Sequence, residues 1–272
     1  MNRLSKLLCV IIAVAILLPC VACREPVVTI QGNVMTVKTQ KDMDAWAAQH
    51  GTYIVDFCQK YNIEEVVIGK RVRYIPDCAF DRCETIKRVV LPNGVKEIGV
   101  LAFSHCKALE ECDIPRSVEY ISSGAFEGCC SLTHFEFPPN IDAIYDGVLY
   151  ECSNLQGVLE IPNSVRNIEK YALDGTKIQR LIIHGALENI MGILCEEIPT
   201  LREIVFANHP PINISGQPDP FECFPGLVPG ENPPTVYYLR EYAHEWAPNG
   251  ETEWNGFPLV CIDSIDDLPP LE

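Results

Sequence analysis

The chain has 272 residues, 47% of them hydrophobic, enough for one elongated domain or two compact ones around a continuous core. Its formal charge is −16, with 37 acidic against 21 basic residues. That balance excludes a nucleic-acid binder, which needs a basic footprint, and electrostatic docking on anionic lipid.

Residues 1–22 read as a signal peptide. Arg3 and Lys6 make a basic start, and the apolar run from Leu7 to Leu18 is too short to span a bilayer. Leu17-Leu18-Pro19-Cys20-Val21-Ala22-Cys23 resembles a bacterial lipoprotein cleavage box, in which Cys23 becomes the acylated N-terminus. Cys20 stands where such boxes usually carry Leu. Ordinary cleavage nearby, leaving Cys23 a plain thiol, is the alternative. The expectation is a protein at the bacterial cell surface or outer membrane. Its only membrane contact would be a lipid at Cys23, and it would be secreted if Cys23 is not acylated.

Residues 23–62 read as an N-terminal cap. Val27–Ile30 and Val34–Val37 flank Gln31-Gly32-Asn33, a hairpin signature. Met43, Trp46, Ala47, His50, Ile54, Phe57, Cys58 and Tyr61 then fall at helical spacing, broken near Gly51.

Residues 63–206 repeat with a period of 23 and define about six coils of a mainly β solenoid. Inward strand columns run Ile63, Ile86, Leu109, Leu132, Leu155, Ile178, Leu201, then Val66, Val89, Cys112, Phe135, Val158, Leu181, Ile204, then Ile68, Leu91, Ile114, Phe137, Ile161, Ile183, Phe206. A second arm carries Val72, Val95, Val118, Ile141, Val165, Leu187 and Ile75, Ile98, Ile121, Ile144, Ile168, Ile190. It is followed by Phe80, Phe103, Phe126, Leu149, Leu173, Cys195. One coil is a residue longer, with the extra residue near Leu159.

The stretch Leu91-Pro92-Asn93-Gly94-Val95-Lys96-Glu97-Ile98-Gly99, continuing to Ala102-Phe103-Ser104-His105-Cys106 and Leu109, resembles the BspA-like leucine-rich repeat family. The resemblance implies a surface-exposed or secreted protein used for adhesion or protein binding rather than catalysis. Residues 207–234 hold eight prolines and read as an extended wrapping loop. Residues 235–272 read as a small α/β cap: strand Thr235–Leu239, a short helix over Arg240–Trp246, strand Leu259–Ile262, and a frayed acidic tail from Asp263.

Cys83, Cys106, Cys129 and Cys152 share one repeat position that continues as Thr176 and Ile198. Small buried thiols fit that column best. Disulfides in part of the ladder remain open, and zinc is disfavoured because no Cys-x-x-Cys pair has a second to match it. The outward strand face is the candidate binding surface. One column holds Arg88, Glu111, His134, Gly157, Arg180 and Glu203; the next holds Val90, Asp113, Glu136, Glu160, Ile182 and Val205. The competing reading is a merely solvated charged face. Asp113, Glu136 and Glu160 stand one coil apart, near the roughly 5–5.5 Å of a retaining glycosidase, but strand stacking alone gives that spacing. No zincin, phosphate-loop, dinucleotide or Gly-x-Ser-x-Gly motif is present. The sequence therefore assigns no catalytic residue, metal or cofactor. It predicts a non-enzymatic surface protein with a macromolecular partner, protein before glycan. A glycan-binding accessory protein of a polysaccharide-uptake system, using Tyr237, Tyr238, Trp246 and Trp254, is the second reading, and a hydrolase a remote third.

Overall fold

The computed structural model describes residues 28–48, 52–190, 198–210, 233–254 and 256–271. The signal peptide, Cys23, Val27, His50, Gly51, Cys195 and residues 211–232 of the wrapping loop lie outside them.

The chain enters through an antiparallel hairpin, β1 (Thr29–Gln31) and β2 (Val34–Thr39), turned at Gly32 with φ +64°. Helix α1 (Gln40–Ala47) starts at Thr39, whose hydroxyl accepts from the Asp42 amide while the Asp42 carboxylate accepts from the Thr39 amide. This reciprocal cap satisfies donors that a helix start leaves unpaired. Helix α2 (Thr52–Lys60) follows. The hairpin is more than a lid: β2 pairs in parallel with β3 (Glu65–Arg71), Met35 opposite Val66 and Val37 opposite Ile68. It is thus one more rung of the solenoid sheet.

Each coil then has three sides. A first arm carries β3, β5 (Arg88–Val90) and β7 (Glu111–Asp113), and later β10 (Gln156–Ile161), β12 (Lys177–Ile183) and β14 (Glu203–Phe206), paired in parallel. A second arm carries the two-residue strands β4 (Tyr74–Ile75), β6 (Glu97–Ile98), β8 (Tyr120–Ile121), β9 (Ala143–Ile144), β11 (Asn167–Ile168) and β13 (Asn189–Ile190). A turn arm closes the coil. Because strand side chains alternate in direction, every second residue of each arm faces the same interior. Val66, Val72, Ile75, Phe80 and Cys83 are fully buried there. Phe80, Phe103 and Phe126 stack with ring centroids 5.4 Å apart, one per coil. Trp46 extends this stack into the cap, 6.1 Å from Phe80, with its indole N–H donating to the Ala79 carbonyl at 2.7 Å.

The turn arm holds a ladder of its own. The amides of Phe80, Phe103, Phe126 and Leu149 each donate to the carbonyl one coil on, at Ala102, Ala125, Val148 and Ala172. The geometry requires left-handed backbone at two positions per coil, filled by Leu101 then Gly124, and by His105 then Gly128. Glycine adopts that region at no steric cost, whereas the L residues are strained.

The C-terminal cap also continues the sheet. β15 (Thr235–Leu239) pairs in parallel with β14, and β17 (Phe257–Ile262) with β15; β16 (Glu253–Trp254) closes the edge antiparallel, as β1 does at the other end. An exposed strand edge invites pairing with other chains, and both ends are blunted this way. The helix expected over Arg240–Trp246 is a 3₁₀ turn at Arg240–Tyr242 followed by the short α3 (Ala243–Trp246). Trp246 packs on Phe206 at 4.9 Å and on Trp254 at 5.0 Å.

Three expectations are corrected. The tail is not frayed: Ser264 caps a 3₁₀ turn at Ile265–Asp267, and Ile265 and Leu268 pack with Ile182, Val205 and Ile262. Arg180 and Glu203, expected on the exposed face, are 8% and 9% exposed because this tail lies over them. Val158, expected inward, is outward and exposed, and Leu159 takes the core position opposite Leu181. The ladder register shifts between Gly157 and Val158, which face Ile178 and Arg180 and leave Gln179 of β12 unmatched; Gly157 is at φ +80°, and a slip of one residue exchanges the two faces of a strand.

Candidate functional site

Both strand arms are interrupted at the same place. The fourth coil forms no strand over residues 134–137, so the first-arm sheet ends at β7 and resumes at β10. On the second arm β8 and β9 are likewise in separate sheets. The local sequence explains the gap. Phe135 and Phe137 occupy core positions where the preceding coil has Cys112 and Ile114, and Pro138-Pro139 removes two amide donors. Phe135 meets Phe126 and Phe137 edge-on at 5.2 and 5.0 Å. The two adjacent core rings are larger than the Cys112 and Ile114 side chains of the preceding coil and coincide with the loss of strand pairing.

Beside the gap is an open groove of about 450 Å³, lined by His134, Glu136, Phe137, Val158, Glu160 and His184 together with Phe135, Pro139 and Pro162. The predicted His134, Glu136 and Glu160 are thus brought together. His134 Nε2 lies 3.2 Å from Glu136, and His184 Nε2 lies 3.0 Å from Glu160. The Glu136 side chain is 85% exposed, so it remains hydrated and available to a partner. His184 carried no signal in the columns because it follows the last residue of β12. Val158 was assigned to the wrong face; its outward position is what gives the groove an apolar wall.

The other predicted residues sit elsewhere on the face. Arg88 is bridged between Glu65 at 3.7 Å and Glu111 at 3.3 Å. Beside Arg88 in the chain, Lys87, which is not among those predictions, pairs with Glu64 at 3.4 Å. Such exposed pairs are worth little to stability and exchange readily for pairs with a partner. Asp113 is exposed at the end of β7, next to the gap. Arg180 and Glu203 instead form a buried ion pair, and the Arg180 guanidinium also donates to the Pro269 carbonyl of the tail.

Neither the cysteine ladder nor the cap aromatics belong to a site. The Cys106, Cys129 and Cys152 thiols donate to the carbonyls of Phe80, Phe103 and Phe126, each at 3.2 Å. Burial pushes the Cys106 and Cys129 thiols well up and that of Cys152 to about 12, so they stay protonated. Tyr238 and Trp246, wanted by the glycan reading, are buried cap core. Tyr237 and Trp254 pack against the tail cluster and Trp246 respectively. Among the described residues, no three His, Cys, Asp or Glu converge as a metal would need. The groove lining contains no hydroxyl, thiol or amine nucleophile. No helix among the described residues is long and apolar enough to cross a membrane.

A parallel stack of 23-residue coils with strands along one arm and a phenylalanine ladder inside is a leucine-rich-repeat solenoid. Residues 54–178 and 144–215 match the BspA type leucine rich repeat region in six copies, and the chain belongs to that family. Among solved structures it is similar to a leucine rich cell surface protein of Faecalibacterium prausnitzii A2-165, 26% identical with a TM-score of 0.52 over 66% of this chain and 46% of that one. It thus spans less than half the length of that protein. It is also similar to the leucine rich repeat protein of T. pallidum (22%, TM-score 0.40, 61% and 84% of the two chains). A leucine-rich repeat protein of Bacteroides ovatus matches at 20%, TM-score 0.36, over 75% and 63%. No curated protein matches.

Proposed function

We propose that this protein is an exported, non-enzymatic interaction module, lipid-anchored at Cys23, that binds a protein partner along the uncovered strand face from Arg88 to the groove. The observation that carries the reading is the groove itself. Its wall of Phe137 and Val158 suits one apolar side chain, and Glu136 and Glu160 suit flanking Lys or Arg groups. An overall charge of −16 favours the same partner chemistry. A further support is internal to the chain. Its own tail lies on this face further along, with two apolar side chains on Ile182 and Val205 and one carbonyl on Arg180. That a 3₁₀ turn and the residues after it pack on this face supports reading the uncovered part as able to take a segment of another chain.

The test compares the mature chain with Glu136→Lys/Glu160→Lys in binding to an array of lysine- and arginine-containing peptides, with a glycan array run alongside. Saturable peptide binding that the double variant loses at least tenfold is expected. Glycan binding without peptide binding, or equal binding by the variant, overturns the reading.

A further inference from the structure

The thiol ladder has one irregular member. Cys106, Cys129 and Cys152 each donate to a carbonyl of the preceding coil. For Cys83 the preceding position is occupied by α2 of the cap, and what α2 presents there is another cysteine. Cys58 Sγ lies 2.7 Å from Cys83 Sγ, and both residues are fully buried. That separation is within an ångström of a disulfide bond, about 2.05 Å. Cys58 and Cys83 also belong to different elements, so bonding them ties the cap to the first coil across a 25-residue separation.

We propose that Cys58 and Cys83 are joined by a disulfide in the exported protein, while Cys106, Cys129 and Cys152 remain thiols. The inference rests on export to an oxidising compartment and is independent of the binding face. The bond forms by thiol–disulfide exchange with a protein or small-molecule disulfide. One thiolate attacks that reagent and expels its first thiol; the second thiolate then attacks the mixed disulfide and expels the other. The pair is oxidised by two electrons, and the reagent leaves as two thiols. Burial and contact with Cys58 push the Cys83 thiol up once the cap is docked, so the exchange belongs to the stage before the cap closes. The bond then holds the one part of the solenoid that is not itself a repeat, where an open end would otherwise fray.

The test is mass spectrometry of the mature chain after export to an oxidising periplasm, and separately after refolding with oxidised glutathione, alkylated under denaturing, non-reducing conditions. A cross-link joining Cys58 to Cys83 is expected, with the other three ladder cysteines alkylated. A cross-link only in the refolded sample would fault the export, not the pair. Alkylation of both cysteines in both samples overturns the proposal. Melting temperatures give a second readout. Reductant should lower that of the parent but not of Cys58→Ala, and Cys58→Ala, Cys83→Ala and the double variant should lose similar amounts. Additive losses with no response to reductant would mean thiol packing alone, and overturn it too.

Discussion

The first-arm face differs between its two halves. Up to the fourth coil, apart from the half-buried Val67 and Val90, its outward residues are polar or charged and hydrated, and several pair with one another, as Arg88 does with Glu65 and Glu111. From the sixth coil the outward positions turn apolar at Ile182 and Val205, and the tail covers them. The same kind of residue has opposite meaning in the two places. Arg88–Glu111 is a surface pair in water, whereas Arg180–Glu203 is an ion pair taken out of water and completed by the Pro269 carbonyl. Column position alone does not make a residue part of a binding surface. What lies over the column decides.

The sharpest way to break this contrast is Arg180→Ala. It leaves the Glu203 carboxylate buried without its partner and should cost about 3 kcal/mol, read as a lower urea midpoint. Next is removal of residues 264–272. It uncovers Ile182 and Val205 and should cost about 2 kcal/mol of lost apolar burial, with new binding of a hydrophobic dye. Gly157→Ala tests the register shift between the halves. Its Cβ would meet nothing within 4 Å, so only the backbone at φ +80° opposes it, at about 1 kcal/mol in chemical unfolding. The smallest effect is the Arg88/Glu111 pair, whose double-mutant cycle should give a coupling of about 0.5 kcal/mol that fades in high salt. If that coupling equalled the loss at Arg180, the two halves would not differ as described.

Most of the fold could be read in advance because each coil repeats one environment. Ile75, Ile98 and Ile121 had to be apolar for the same reason, and their spacing gave the period. The register shift was visible as an extra residue, but Val158 and Leu159 are both apolar, so hydrophobicity could not tell which faces out. The tail was missed because Ile265 and Leu268 stand alone in an acidic stretch, without periodicity. Its trace was on the other partner: Ile182 and Val205, apolar residues that follow Asp113, Glu136 and Glu160 in their outward column. The groove was legible only in part. His134, Glu136 and Glu160 were in the columns, but the break in strand pairing beside them, where Phe135 and Phe137 meet a double proline, is a property of how coils pack that no single column records.

The turn arm adds a mechanical consequence. Between the third and fourth coils its amide ladder is unbroken, with Gly124 donating to Asp146, Phe126 to Val148 and Gly128 to Tyr150. Both strand arms are cut at that level. The rod is therefore bound along one spine, like a book. Bending that closes the spine's side and spreads the strand side strains side-chain interactions, among them the Tyr120–Tyr145 ring pair with its hydrogen bond and the Asn140 bond to the Arg116 carbonyl. Bending the other way must stretch a row of main-chain hydrogen bonds. Sideways load on the stack would thus open the molecule more easily in one direction than in the other, between the third and fourth coils.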